Sequence, residues 1–220
     1  LAKLDNYLVV TFVRQAGYAR AIFPDSANTM RIVTMIDPAT DRPFIAASEH
    51  RFGVAASAPT DNVSRGGLSC RVDPDTGRLG PGICDGRTTI VRTNVHPETG
   101  AKLEGVEVEH WREAKDMVLN VAQALPFAPY VGWDVLVSDD GPVLIEGNAG
   151  PSMHSQMHFP YLLDERVRRF VEHHGVWRTR RRARADGAGP AVGGGRWGRR
   201  GSTAGEGGAG RGWQSHGARG

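Results

Sequence analysis

The feature that most constrains the fold of this chain is the stretch from Gly132 to Asn148, which reads as a β-hairpin with acid groups on one face. Trp133–Val137 and Val143–Gly147 are rich in β-branched and aromatic residues, the types that suit a pleated, half-buried surface. Between them Ser138-Asp139-Asp140-Gly141-Pro142 is a dense turn signal. A three-residue loop of Asp139, Asp140 and Gly141, closed by the glycine at positive φ, sets Asp134 opposite Glu146. Side chains alternate along a strand, so Asn148 shares the face of Glu146. Trp133, Val135, Val137, Val143 and Ile145 then point to the other face as an apolar set, and a one-residue slip would bury the carboxylates.

Opposed residues of an antiparallel pair stand about 4.5–5.5 Å apart at Cβ. Two carboxylates and an amide oxygen at that spacing form a hard donor set of the kind Mg²⁺ takes, together with phosphate oxygens and water. The plainer alternative is a solvated hairpin carrying acids by chance. A calcium loop does not fit, because with Gly141 as the turn glycine the first and last ligand positions fall on Leu136 and Gly147.

Upstream, Tyr7–Val13, Thr29–Ile36, Pro43–Phe52, Ser69–Val72 and Arg87–Arg92 read as strands, with turns at Asp73–Gly77 and Asn94–Gly100. One helix is clear between Glu109 and Leu125. Its apolar residues Trp111, Ala114, Val118, Val121 and Leu125 step by three and four along one stripe, and Pro126 ends it. A shorter helix is expected after Asp164 as N-cap, running to about His173. Several strands, few helices and a closing hairpin predict an α+β fold, with helices covering a mostly antiparallel sheet.

Charge divides the chain in two. Between Arg178 and Gly220 ten arginines stand against Asp186 and Glu206, a surplus of eight positive charges. The whole chain carries +3, so residues 1–177 carry −5 and are mildly acidic. The last 43 residues include fourteen glycines and almost no aliphatic side chains; they cannot bury enough surface to offset their ordering entropy and are expected to be disordered. The expected organisation is therefore a folded domain over 1–177 and an Arg/Gly-rich tail over 178–220. No run of 18 apolar residues marks a membrane span, no secretory signal opens the chain, and Cys70 and Cys84 match no zinc spacing. A cytoplasmic protein with two reduced cysteines is the expectation. The start at Leu1 suggests a fragment.

Asp134 followed by Leu144-Ile145-Glu146-Gly147-Asn148 resembles the metal-binding hairpin that ends the ATP-grasp domain. The segments Ser26–Thr34 (with Asn28-Thr29-Met30-Arg31), Asp61-Asn62-Val63-Ser64-Arg65-Gly66-Gly67, His96-Pro97-Glu98-Thr99-Gly100 and Tyr130–Asp134 narrow the resemblance to the sugar-transfer associated group of that superfamily, over roughly residues 5–165. The resemblance implies an ATP-grasp fold, of which this chain looks like the C-terminal part, with the preceding lobe that covers the phosphates expected in a full-length protein. It also implies ATP and two Mg²⁺ ions as cofactors, with Asp134, Glu146 and Asn148 as metal ligands. The implied chemistry is activation of a carboxylate by phosphoryl transfer from ATP, in a ligase of cell-surface polysaccharide synthesis acting on a small-molecule or sugar-linked acceptor.

Arg31 is the candidate catalytic residue, since a guanidinium can bind two phosphate oxygens at once; the alternative is a surface arginine in a salt bridge. Arg51 faces phosphate or a carboxylate. Asn62 and Ser64 belong to a loop whose glycine amides line an anion site or make an ordinary turn. The resemblance further implies that Val10 and Phe12 contact the adenine through their backbone and that Ser152 and His154 border the acceptor. Two other readings remain: a noncatalytic remnant of the fold, and an RNA-binding protein acting through its tail with Trp197 and Trp213. The acidic folded part argues against nucleic acid as a partner.

Overall fold

The computed structural model describes residues 11–86, 89–151 and 164–176. The expected disordered tail, together with Val10, Ser152 and His154, lies outside the described residues. A short helix α1 (Gly17–Ile22) leads into strands β1 (Thr29–Asp37) and β2 (Arg42–Phe52), a 3₁₀ turn (Val63–Arg65), and strands β3 (Leu68–Val72), β4 (Leu79–Gly86) and β5 (Thr89–Thr93). Helix α2 (Trp111–Ala124), strands β6 (Tyr130–Ser138) and β7 (Gly141–Ala149), and helix α3 (Glu165–His173) follow. The seven strands form one sheet in the order β5-β4-β3-β2-β1-β6-β7, antiparallel throughout. The fold is α+β, as the sequence implied.

The two faces of the sheet have different chemistry. On one, Met30, Ile32, Phe52, Leu68, Cys70, Val72, Trp133, Val135 and Val137 pack with Trp111, Ala114 and Val118 of α2 into the main core. The other face is apolar only at one end, where Val33, Met35, Phe44 and Ala47 receive Val167 and Phe170 of α3. Asp164 caps α3 by accepting from the Arg166 amide at 2.8 Å, and Arg169 Nη2 donates to Asp37 Oδ2 at 2.7 Å, pinning the helix to the end of β1. Beyond α3 the face is polar, and it carries the candidate site.

One expected strand is not formed as read, and one strand had no expectation. Residues 11–14 are not a strand, and Tyr7–Val10 lie outside the described residues; the chain makes an isolated bridge, Gln15 with Ser138, and enters α1. β4 has little strand signal of its own, because Gly80, Pro81 and Gly82 break strand patterning. It pairs all the same, flanked by β3 on one side and β5 on the other.

The hairpin differs in detail as well. Its loop has two residues, Asp139 and Asp140, with Ser138 paired to Gly141, whose φ is 130°. That shorter loop alone would put Asp134 opposite Ile145. A bulge between Asp134 and Val135 leaves Ile145 unpaired and restores Asp134 opposite Glu146. Ile145, expected in the core, is consequently 52% exposed, and Leu144 packs against the main core in its place.

Candidate functional site

The site is assembled by strand register. Arg71 of β3 pairs with Glu49 of β2, Glu49 with Arg31 of β1, Arg31 with Asp134 of β6, and Asp134 with Glu146 of β7. Five charged residues therefore form one row across five strands, about 4.8 Å apart per step, alternating in sign from Arg71 to Asp134 and ending on two neighbouring carboxylates, Asp134 and Glu146. Opposite charges facing one another stabilise the first three pairings, whereas the closing Asp134–Glu146 pair sets like charges opposite one another, which opposes it.

The Asn28-Thr29-Met30-Arg31 segment shows how a short motif builds this row. Asn28 is buried and ties loops together: its Oδ1 accepts from Ser26 Oγ at 2.6 Å and from the Gly53 amide at 3.1 Å, and its Nδ2 donates to Gln15 Oε1 and the Phe23 carbonyl at 3.0 and 2.7 Å. Thr29 donates from its amide and hydroxyl to Asp61 Oδ2 at 2.7 and 2.6 Å. Arg31, two residues on and on the same face as Thr29, reaches Asp134 through two nitrogens, Nη2 to Oδ2 at 3.0 Å and Nε to Oδ1.

Arg51 completes the cluster. Its Nη2 lies 3.3 Å from Asp134 Oδ2 and donates to Thr29 Oγ1, while its buried Nε stands 3.5 Å from Asp61 Oδ2. Glu49 is buried and accepts from Ser69 Oγ at 2.8 Å. Arg31, Glu49, Arg51, Asp61, Asn62, Val63, Ser64, Asp134 and Glu146 line one cavity of about 450 Å³. Burial alone would raise the Asp134 carboxyl, but the hydrogen bond from Arg31 and the charges of both arginines outweigh it and hold the group below the usual carboxylate range. Burial correspondingly pulls Arg31 down, and Asp134, Glu49 and Glu146 together push it up. Asp134 and Arg31 are thus charged at neutral pH.

The cavity brings together Arg31, Arg51, Asn62, Ser64, Asp134 and Glu146 of the residues expected from sequence. Asn148 does not line it but donates from Nδ2 to Glu146 Oε1 at 3.1 Å. Phe12 is 89% exposed and lines a separate cavity with Val13, Gln15 and Pro24. The glycine amides of the Asp61–Gly67 loop are engaged within it, Gly66 on the Val63 carbonyl at 3.0 Å and Gly67 on that of Asn62 at 3.2 Å. Of the two readings of this loop, the structure therefore has the ordinary turn, and Asn62 Oδ1 caps it by accepting from the Ser64 amide and hydroxyl at 3.0 and 2.8 Å. Glu49 and Asp61 were not singled out from sequence. The strand alternation of Glu49 and Arg51 would have placed Glu49 on the site face; nothing local marks Asp61 as the partner of Thr29.

Four carboxylates and two guanidiniums line the cavity, an excess of two negative charges. Among the described residues no three His, Cys, Asp or Glu side chains gather closely enough to hold a metal ion by themselves. The donor chemistry nonetheless suits a hard cation that shares its shell with a ligand and water. Carboxylate oxygens suit Mg²⁺, and guanidiniums suit the phosphate oxygens it accompanies.

No helix among the described residues is long and apolar enough to cross a membrane. A comparison with curated proteins found no match. The family model described as sugar-transfer associated ATP-grasp matches residues 2–171, a span that includes the whole charged row, α2, the hairpin and most of α3. On that match, over a sheet whose central strands set arginines against the acids of the closing hairpin, the chain belongs to the sugar-transfer associated ATP-grasp family.

Proposed function

We propose that this chain carries the magnesium- and phosphate-holding part of an ATP-dependent ligase that activates a carboxylate by phosphoryl transfer, in the synthesis of cell-surface polysaccharide. The observation that carries the reading is the row Arg31–Asp134–Glu146 across three neighbouring strands, open to one cavity. Family membership supports ATP binding and a general ATP-grasp activity associated with sugar transfer; the ions, the residue roles and the acceptor are this proposal's.

In this reading Asp134, Glu146 and Asn148 hold magnesium, and Arg31 and Arg51 take phosphate oxygens. Bound magnesium neutralises and orients the phosphates, which is most of what phosphoryl transfer asks of a protein. Both guanidiniums now lie against Asp134. With a cation on the same carboxylate, the two guanidiniums would be left to donate to the phosphates. Glu49 and Asp61 keep each arginine aimed at the cavity, Asp61 through Thr29 and Arg51, and Glu49 by facing Arg31 in register. Asn62 and Ser64 form the rim. Val10 and Phe12 at the adenine, and Ser152 and His154 at the acceptor, complete the assignment.

The test is calorimetric titration of the full chain with ADP, with and without Mg²⁺. Binding that requires Mg²⁺ and disappears in Glu146→Gln is expected. Glu146 is exposed, on an edge strand, so the variant keeps its fold. Unchanged affinity in Glu146→Gln would remove the metal assignment.

A further inference from the structure

Along β6 the site face carries Tyr130, Gly132 and Asp134 in turn, opposite Met35, Val33 and Arg31 of β1. Tyr130 belongs to the α3 end of that face, with its ring centre 6.2 Å from that of Phe170. Asp134 belongs to the site. Gly132, between them, has no side chain, and the chain beyond β7 folds back into the space this leaves. Gly150 turns it, at φ 68°, and Pro151 is buried. A Cβ on Gly132 would stand 2.6 Å from Pro151 Cβ and 3.0 Å from Arg31 Cδ. The proline ring and the aliphatic stem of Arg31 therefore lie side by side over Gly132.

Pro151 is fixed from the opposite side. The Tyr130 hydroxyl donates to its carbonyl at 3.1 Å. Burial raises this phenol above its ordinary value, and the charge of Arg31 opposes the rise; the hydroxyl stays protonated at neutral pH, as a donor must. Tyr130 is braced in turn by Phe170 of α3. An arginine stem has many rotamers, and ordering it has an entropic cost that packing reduces before a ligand arrives. Asp134 restrains the fork of Arg31. Pro151 bounds the stem, whichever oxygens the fork meets.

We propose that Pro151, held over Gly132 by the Tyr130 hydroxyl, is a wall that confines the Arg31 side chain to the Asp134 side of the cavity. Tyr130 and Pro151 are then positioning residues for Arg31, and their effect on ligand binding rests on the phosphate role given to Arg31 above. The wall also links that arginine to α3, since Tyr130 touches both Phe170 and Pro151.

The test uses ¹⁵N-labelled full chain and reads solvent exchange of the Arg31 Nε–H proton, a signal assigned by its loss in Arg31→Lys. The Trp133 Nε1–H proton, bonded to Thr34 Oγ1 at 2.8 Å on the same two strands, is the internal control for the β1–β6 pairing. Tyr130→Phe keeps the ring on Phe170 and removes only the donor; Pro151→Ala removes the ring of the wall. Each should speed exchange at Arg31 about threefold to tenfold, the scale of one hydrogen bond, and leave Trp133 unchanged. Unchanged exchange at Arg31 in both variants, or an equal rise at Trp133, would overturn the wall. Calorimetric titration with ADP and Mg²⁺ then reads the positioning role: affinity should fall about threefold or more in Tyr130→Phe. Faster exchange at Arg31 with unchanged affinity would overturn that role. A parent chain that binds no ADP with Mg²⁺ would instead remove the nucleotide reading, and the wall would be judged on the exchange rates alone.

Discussion

His50 stands between Glu49 and Arg51 on β2, so it anchors on the core side the strand that presents both residues to the site. It is buried, stacked on Phe52 at 4.3 Å between ring centres. Its Nδ1 donates to the Arg51 carbonyl at 3.2 Å, which leaves Nε2 to accept from the Tyr18 hydroxyl at 2.8 Å. A second proton would have to enter at Nε2, against burial and beside the Arg51 charge. Burial, the largest effect, pushes the imidazole down to about 3. The folded pKa thus lies below the unfolded value of about 6.5. The contribution to stability is complete above that value and is lost as the unfolded chain takes up a proton on acidification. At pH 5 protonation favours the unfolded imidazole by a factor of about 30 and leaves the folded one almost untouched, a loss of about 2 kcal/mol relative to pH 8. His50→Gln keeps one donor and one acceptor and removes the titration. Urea unfolding followed by far-ultraviolet circular dichroism at both pH values should show the parent losing about 2 kcal/mol more than the variant between about pH 8 and pH 5. Equal losses would refute the tautomer and burial argument.

Three further outcomes follow from particular contacts. Gly147→Ala puts a Cβ 2.7 Å from Trp133 Cζ3; because Trp133 Nε1 is fixed to Thr34 Oγ1 at 2.8 Å, overpacking should cost about 1–3 kcal/mol in urea unfolding and alter the near-ultraviolet circular dichroism. Asp134→Asn leaves two largely buried guanidiniums short of a counter-charge and should cost about 2 kcal/mol, less than a fully buried broken pair. In the parent that contribution persists through neutral pH and disappears as pH falls through the depressed Asp134 value, so parent and variant should converge in stability only in strong acid. Asp164→Ala removes the α3 cap seen at the Arg166 amide and should lower stability by about 1 kcal/mol, read as a drop in Tm.

Local pattern carried much of the fold. The three-four spacing from Trp111 to Leu125 specified α2, Asp164 specified where α3 begins, and the runs 29–36 and 43–52 read as the strands that form β1 and β2. The Asp134–Glu146 pairing was also legible, although by an arithmetic the structure replaces: a two-residue loop plus a bulge ends in the same opposition as a three-residue loop. The difference surfaces at Ile145 and Leu144, whose faces depend on where along the strand the extra residue is absorbed.

What the linear chain determined by itself was periodicity, caps, turns and which residue types could serve as hard donors. Only the tertiary structure decided neighbours. β1 lies between β2 and β6, so Arg31 meets an aspartate 103 residues away and Asp61 closes on Thr29 and Arg51. Sheet order is set by burial of whole faces, a sum over many residues far apart in sequence that no window of the chain contains. That order makes Arg31 and Asp134 partners, and it gathers arginines and carboxylates from five strands on one face of the sheet.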